Sequence, residues 1–174
     1  IFAVFIESSV AWGAFAYVGA DLRLRFGMSF AAIGLIVGAF GIGGLIYAGS
    51  VQQLVNRLGQ PGIAALGGAL LAGAYVILAA GVTWWFAPLA TTMIGLGFYA
   101  LHNTLQTNAT QMTPEARGTA VAIFSSAIYL GQVLGVAFGG FVFDRSGAVP
   151  LFLGSGAILL ALSCWFARSL IRRA

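Results

Sequence analysis

Two side chains stand out for the chemistry they could do. Glu7 is the first charged residue and has no other charge near it until Asp21. A charged group at the centre of a membrane helix costs about 2.5–3.5 kcal/mol on insertion scales. Its carboxyl is therefore expected to face a cavity or a partner, or to carry a proton. Ala3, Ala11 and Ala14 on the neighbouring turns are small and leave room for water or another helix. His102 is the only histidine, and an unperturbed imidazole titrates near neutrality. It belongs to a polar run that includes Tyr99, Asn103, Thr104, Gln106, Thr107 and Asn108. Gln106 is four residues on and shares a helical face with His102 and Gly95. A carboxylate and an imidazole can hold and pass a proton, and a carboxylate can also bind a cationic solute. The sequence leaves open whether the two touch. Gln132 and Tyr129 are weaker polar candidates further along.

The elements that must hold these groups are read from where charges are missing. The chain is 60% hydrophobic and 7% charged, against roughly 25% charged in soluble domains. So few charges cannot build a water-facing surface, and the solvent around most of the chain is expected to be hydrocarbon. A spanning helix needs about 20 mostly apolar residues. Uncharged stretches occupy 27–56, 58–114, 118–143 and 146–167, and the opening stretch 1–20 carries Glu7 alone. The stretch 58–114 is long enough for two spans, and Thr83, Trp84, Trp85 and Pro88 divide it, with the paired tryptophans placed as an interface belt. The expected fold is all-α, a bundle of six transmembrane helices. Strands are disfavoured, because open sheet edges cannot face lipid and the alternation of a barrel is missing.

An internal repeat is legible at one fixed offset. Val55-Asn56-Arg57-Leu58-Gly59 closes the second helix and Phe143-Asp144-Arg145-Ser146-Gly147 the fifth. At the same offset Gly68-Ala69-Leu70-Leu71 falls on Gly156-Ala157-Ile158-Leu159. The reading is one six-helix domain, 1–174, made of two three-helix units, 1–82 and 83–174. Three is odd, so the units must be inverted relative to each other in the membrane.

Three motifs carry a resemblance. The loop from Gly49 to Pro61 holds Asn56-Arg57-Leu58-Gly59. Pro114-Glu115-Ala116-Arg117-Gly118 precedes the fifth helix, with Pro114 and Glu115 suited to a first turn. The fifth helix carries Gly131, Gly135 and Gly139 four apart, a groove that lets another backbone approach closely; Gly34 and Gly38 repeat the pattern in the second. The chain resembles the C-terminal six-helix half of the major facilitator superfamily over essentially its whole length. That family's loop between its second and third helices has the form G-x-x-x-D-R-x-G-R-R. Here Asn56 replaces the aspartate, Gln60-Pro61 replaces the basic pair, and the spacing back to Gly49 is longer. The Pro114–Gly118 segment matches the family's P-x-x-R-G signature.

The resemblance implies a secondary transporter working by alternating access, with proton-coupled efflux of a small organic solute as the leading activity. It implies that the first and fourth helices line a central cavity. Glu7, His102, Gln106, Asn103, Tyr99 and Gln132 would then bind substrate or proton. Gly49, Asn56, Arg57, Gly59, Glu115, Arg117 and Gly118 would form the gating loops, and Gly131, Gly135 and Gly139 the packing groove. The expected partners are the lipid bilayer, a small-molecule substrate, a proton, and either a missing N-terminal six-helix half or a second copy in parallel. The other reading is a membrane scaffold or sensor that moves nothing and whose glycine grooves bind partner helices.

Other classes are disfavoured. There is no phosphate-binding glycine loop with lysine and no dinucleotide fingerprint, and one histidine cannot make a zinc-protease pair, so no enzyme, metal or cofactor is expected. The net charge of +4 contains no lysine, and its arginines sit in loops and at the terminus, which is no nucleic-acid footprint. Arg57, Arg117, Arg168, Arg172 and Arg173 against Arg23, Arg25 and Arg145 favour a cytoplasmic C-terminus in a bacterial inner membrane. The chain opens on Ile1 without a signal peptide pattern and reads as a fragment. Cys164, the lone cysteine, is expected to be an inert thiol.

Overall fold

The computed structural model describes residues 1–111 and 117–172, with the backbone alone at 117. Among them every regular element is helical: α1 (Phe2–Phe15), α2 (Val18–Phe26), α3 (Phe30–Ala80), a short 3-10 turn (Trp84–Phe86), α4 (Ala87–Gln111), α5 (Arg117–Ser146) and α6 (Ala148–Ile171). Five helical runs are long and apolar enough to cross a membrane, with α1 and α2 together forming the first.

The second run is two crossings. Within α3, Gly59 has φ 62° and ψ 178°, a conformation in which a Cβ is strongly disfavoured. Pro61 follows, with its φ fixed for the start of the next helix. Contacts with α4 show that the chain reverses here. Thr91 donates to the Ile36 carbonyl and Thr92 to that of Ala39, and Gly44 lies against Tyr99, so the arm 30–58 runs parallel to α4. Asn108 donates to Gln60, Gly67 meets Leu101, and Gly73 meets Met93, so the arm 60–80 runs antiparallel to it. The arms are about 43 Å and 31 Å long at helical rise, and each exceeds a hydrocarbon core of about 30 Å. The chain thus makes six passes.

Asp21, Arg23 and Arg25 were expected in a loop; they are helical. Arg25 pairs with Asp21 one turn back at 2.7 Å and reaches the Leu78 carbonyl at 3.3 Å. Arg23 donates to the Met28 carbonyl. Arg25 thus meets a carbonyl in the last turn of α3, where the helix dipole favours a cation, and Arg23 one just past the end of α2.

Some of the closest helix pairs are not neighbours in sequence. α1 and α5 run parallel and nearly touch backbones. A Cβ on Gly131 would lie 2.7 Å from the Phe5 carbonyl oxygen and one on Gly13 2.6 Å from that of Gly135; Gly135 faces the Ser9 backbone and Gly139 that of Gly13. Gly43 and Gly95 do the same between the first arm of α3 and α4. The second arm packs on α6, where Gly68 admits Ser163 and Tyr75 stacks on Phe152.

Candidate functional site

Glu7 and His102 meet. His102 Nδ1 lies 2.9 Å from Glu7 Oε2. Glu7 is fully buried, and the His102 side chain is 14% exposed. α1 brings the carboxyl and α4 the imidazole, and α5 adds Phe124. The imidazole stacks on Phe98, four residues earlier on its own helix, with centroids 4.9 Å apart and planes at 15°. Phe124 packs on it at 5.5 Å. The two rings hold the imidazole plane, and Nδ1 is the nitrogen on the carboxylate.

The space that Ala11 leaves beside Glu7 is filled by protein. Tyr75 from the second arm of α3 is fully buried and donates to the Ala11 carbonyl at 2.7 Å. Three polar atoms near the pair in sequence are buried without a partner among the described residues: Glu7 Oε1, Ser8 Oγ and Trp12 Nε1. A buried ionised group is costly unless paired and hydrogen-bonded, and this pair satisfies one carboxylate oxygen and leaves the other free. A carboxyl and an imidazole in direct contact can share a proton.

Beyond the pair an aromatic cluster continues into the bundle. Trp12 packs on Phe15, Phe40 and Phe98 with centroids 5.4–5.7 Å apart. Tyr99 joins it through Phe40 and Phe98 and is 37% exposed.

The other predicted polar residues of α4 do not converge on His102. Asn103 and Gln106, with Thr107 and Thr110, face Tyr47 and Val51 across an open recess of about 390 Å³ between α4 and the first arm of α3. Gln132 is half-buried on α5 and Tyr129 is exposed. Asn56 and Arg57 are exposed just before the reversal at Gly59, and a Cβ on Gly49 would meet nothing within 4 Å. Glu115 and the side chain of Arg117 lie outside the described residues, and Gly118 is exposed at the start of α5.

Sequence reasoning missed Tyr17 and Tyr75. Tyr17 donates to the Val136 carbonyl at 2.8 Å, beside Gly139 and Gly140, which admit its ring. A tyrosine near a span end reads first as an interface aromatic. The only signal for its inward role was the pair of glycines on α5.

A family model described as Major Facilitator Superfamily matches residues 1–173. No curated protein and no solved structure matches the chain. With helices that can span a bilayer and a family match over nearly its whole length, this chain is an integral membrane protein that belongs to the Major Facilitator Superfamily, a family of transporters.

Proposed function

We propose that the chain is one six-helix half of a secondary active transporter that moves a small organic solute by alternating access, coupled to a proton and directed outward. The observation that carries this reading is the Glu7–His102 contact. Two titratable groups on different helices meet inside a membrane bundle, where ionisable residues are rare and mark proton or substrate paths. α1 and α4 cross there, so any movement that separates these helices changes how tightly the shared proton is held. The equilibrium between conformations then depends on protonation, which coupling requires.

The helix pairing supports two inverted units, 1–82 and 83–174. The second pass packs parallel to the fourth and the fifth parallel to the first, which is the exchange that a two-fold axis in the membrane plane produces. The two halves of such transporters are related by an axis along the membrane normal, so a second six-helix unit completes the pathway: a missing N-terminal half or a parallel second copy. The arginine distribution supports a cytoplasmic C-terminus in a bacterial inner membrane.

The test is Glu7→Gln in liposomes. The amide keeps the size and a hydrogen bond to His102 but has no proton that ionises. Solute movement driven by a pH gradient is expected to be lost, while helical content and chromatographic behaviour stay the same. Unchanged pH-driven movement would sink the reading.

The scaffold reading has one observation in its favour. Gly34, Gly38, Gly41 and Gly49 on the first arm of α3 have open space where a Cβ would sit, so this glycine face is unused within the described residues. A variant that moves no solute yet still captures a partner helix through this face would favour it.

A further inference from the structure

α5 and α6 are joined by Gly147 alone, yet they share few contacts along their length. Between them and α1 runs an apolar groove of about 320 Å³. Leu134, Phe138 and Val142 line it from α5, and Pro150, Gly154 and Ile158 from α6. Leu134, Phe138 and Ile158 are 48–67% exposed, so the groove opens toward hydrocarbon.

Its length and width select one kind of occupant. From Leu134 to Arg145 is about 16 Å at helical rise, close to half of a hydrocarbon core of about 30 Å. The lining itself runs from Leu134 to Val142, about 12 Å at helical rise, so a volume of 320 Å³ leaves a mean cross-section of about 27 Å². That admits one extended hydrocarbon chain. A helix about 10 Å across is several times too thick, so the helix of a second copy cannot enter.

A cation lies one turn beyond Val142, the last groove residue on α5. The Arg145 guanidinium lies 4.1 Å over the Phe141 ring, and Phe141 stacks on the groove residue Phe138 with centroids 6.4 Å apart. Arg145 is exposed and, among the described residues, makes no ion pair, not even with the adjacent Asp144. The apolar slot thus runs toward a guanidinium that, among the described residues, has no ion pair, at the end of the α5 span.

We propose that this groove binds one acyl chain of an anionic phospholipid, with Arg145 holding the headgroup phosphate. The lipid fills the cleft that α5 and α6 leave open and backs the glycine crossing of α5 on α1. The site is separate from the Glu7–His102 pair and does not depend on transport.

Native mass spectrometry of the purified protein, equilibrated with phosphatidylglycerol and phosphatidylethanolamine of matched chains, tests it. The unaltered protein is expected to retain one phosphatidylglycerol in severalfold preference. Arg145→Gln should remove the preference while chain binding persists. Gly154→Phe should lower retention of both lipids to background. A Cβ at Gly154 meets nothing within 4 Å, so the ring enters the groove without displacing backbone, and Gly154→Leu repeats the test with a smaller side chain. Equal melting temperatures show that each variant folds. Retention unchanged by both Gly154 variants, no lipid on the unaltered protein, or loss of a dimer in place of lipid would each overturn the proposal.

Discussion

At the scale of single residues, the Glu7–His102 contact makes stability depend on both partners at once. His102→Ala leaves a buried carboxylate with no partner, and breaking a buried pair this way costs about 3–5 kcal/mol. The loss should be largest at alkaline pH and shrink as pH falls, because protonating the lone carboxylate removes its charge. Adding Glu7→Gln to His102→Ala should restore part of the stability, so the two changes should be far from additive. Thermal unfolding in detergent across a pH series measures both effects; additive losses would mean the two side chains do not sense each other. Both residues were legible in the sequence because an acid and a histidine are conspicuous in apolar helices. Their contact was not. They lie 95 positions apart, and no local periodicity says which face of α1 meets α4. Nor did it say that His102 and Gln106, on one helical face by spacing, would serve different neighbours.

Among elements, the glycines divide into those a neighbouring backbone occupies and those it does not. Gly135→Ala drives a methyl into the Ser9 backbone, and overpacking of this kind costs about 1–3 kcal/mol. Gly34→Ala meets open space and should change stability by about 0.5 kcal/mol or less. Denaturant or thermal midpoints of the two variants, compared side by side, check the difference; equal effects would mean that α1 and α5 do not touch as described. The spacing of Gly131, Gly135 and Gly139 showed close packing, and the groove is used by α1. The same spacing at Gly34 and Gly38 carries no such contact within the described residues, since one-dimensional spacing does not encode which groove finds a helix. The six passes were legible from gaps between charges. The manner of reversal at Gly59 was not, because it needs one residue with unusual torsions and no polar loop. The helical run through Asp21 and Arg25 was also hidden, since charge reads as loop until an ion pair and a carbonyl partner are seen to satisfy it.

For the whole molecule, the exposed faces of α5 and of the first arm of α3 bear on completeness. Only 22% of the spanning window of α5 is buried, and Gly34, Gly38 and Gly41 stand open. In a proteoliposome assay, this chain joined to a second six-helix unit is expected to move solute under a pH gradient; the chain alone should do so only if it dimerises in parallel. Cross-linking of the chain alone decides between these, and activity from a strictly monomeric species would contradict the half-transporter reading. The weaving of the bundle also sets a timetable for its synthesis. Tight contacts join the first pass to the fifth and the second to the fourth, so the first two spans leave the ribosome before their closest partners exist. Glu7 emerges 95 residues before His102. At roughly 5–20 residues per second, α1 waits about 5–20 s with an unpaired carboxyl. During that interval its carboxyl must be protonated, or kept wet beside the insertion machinery, until α4 arrives.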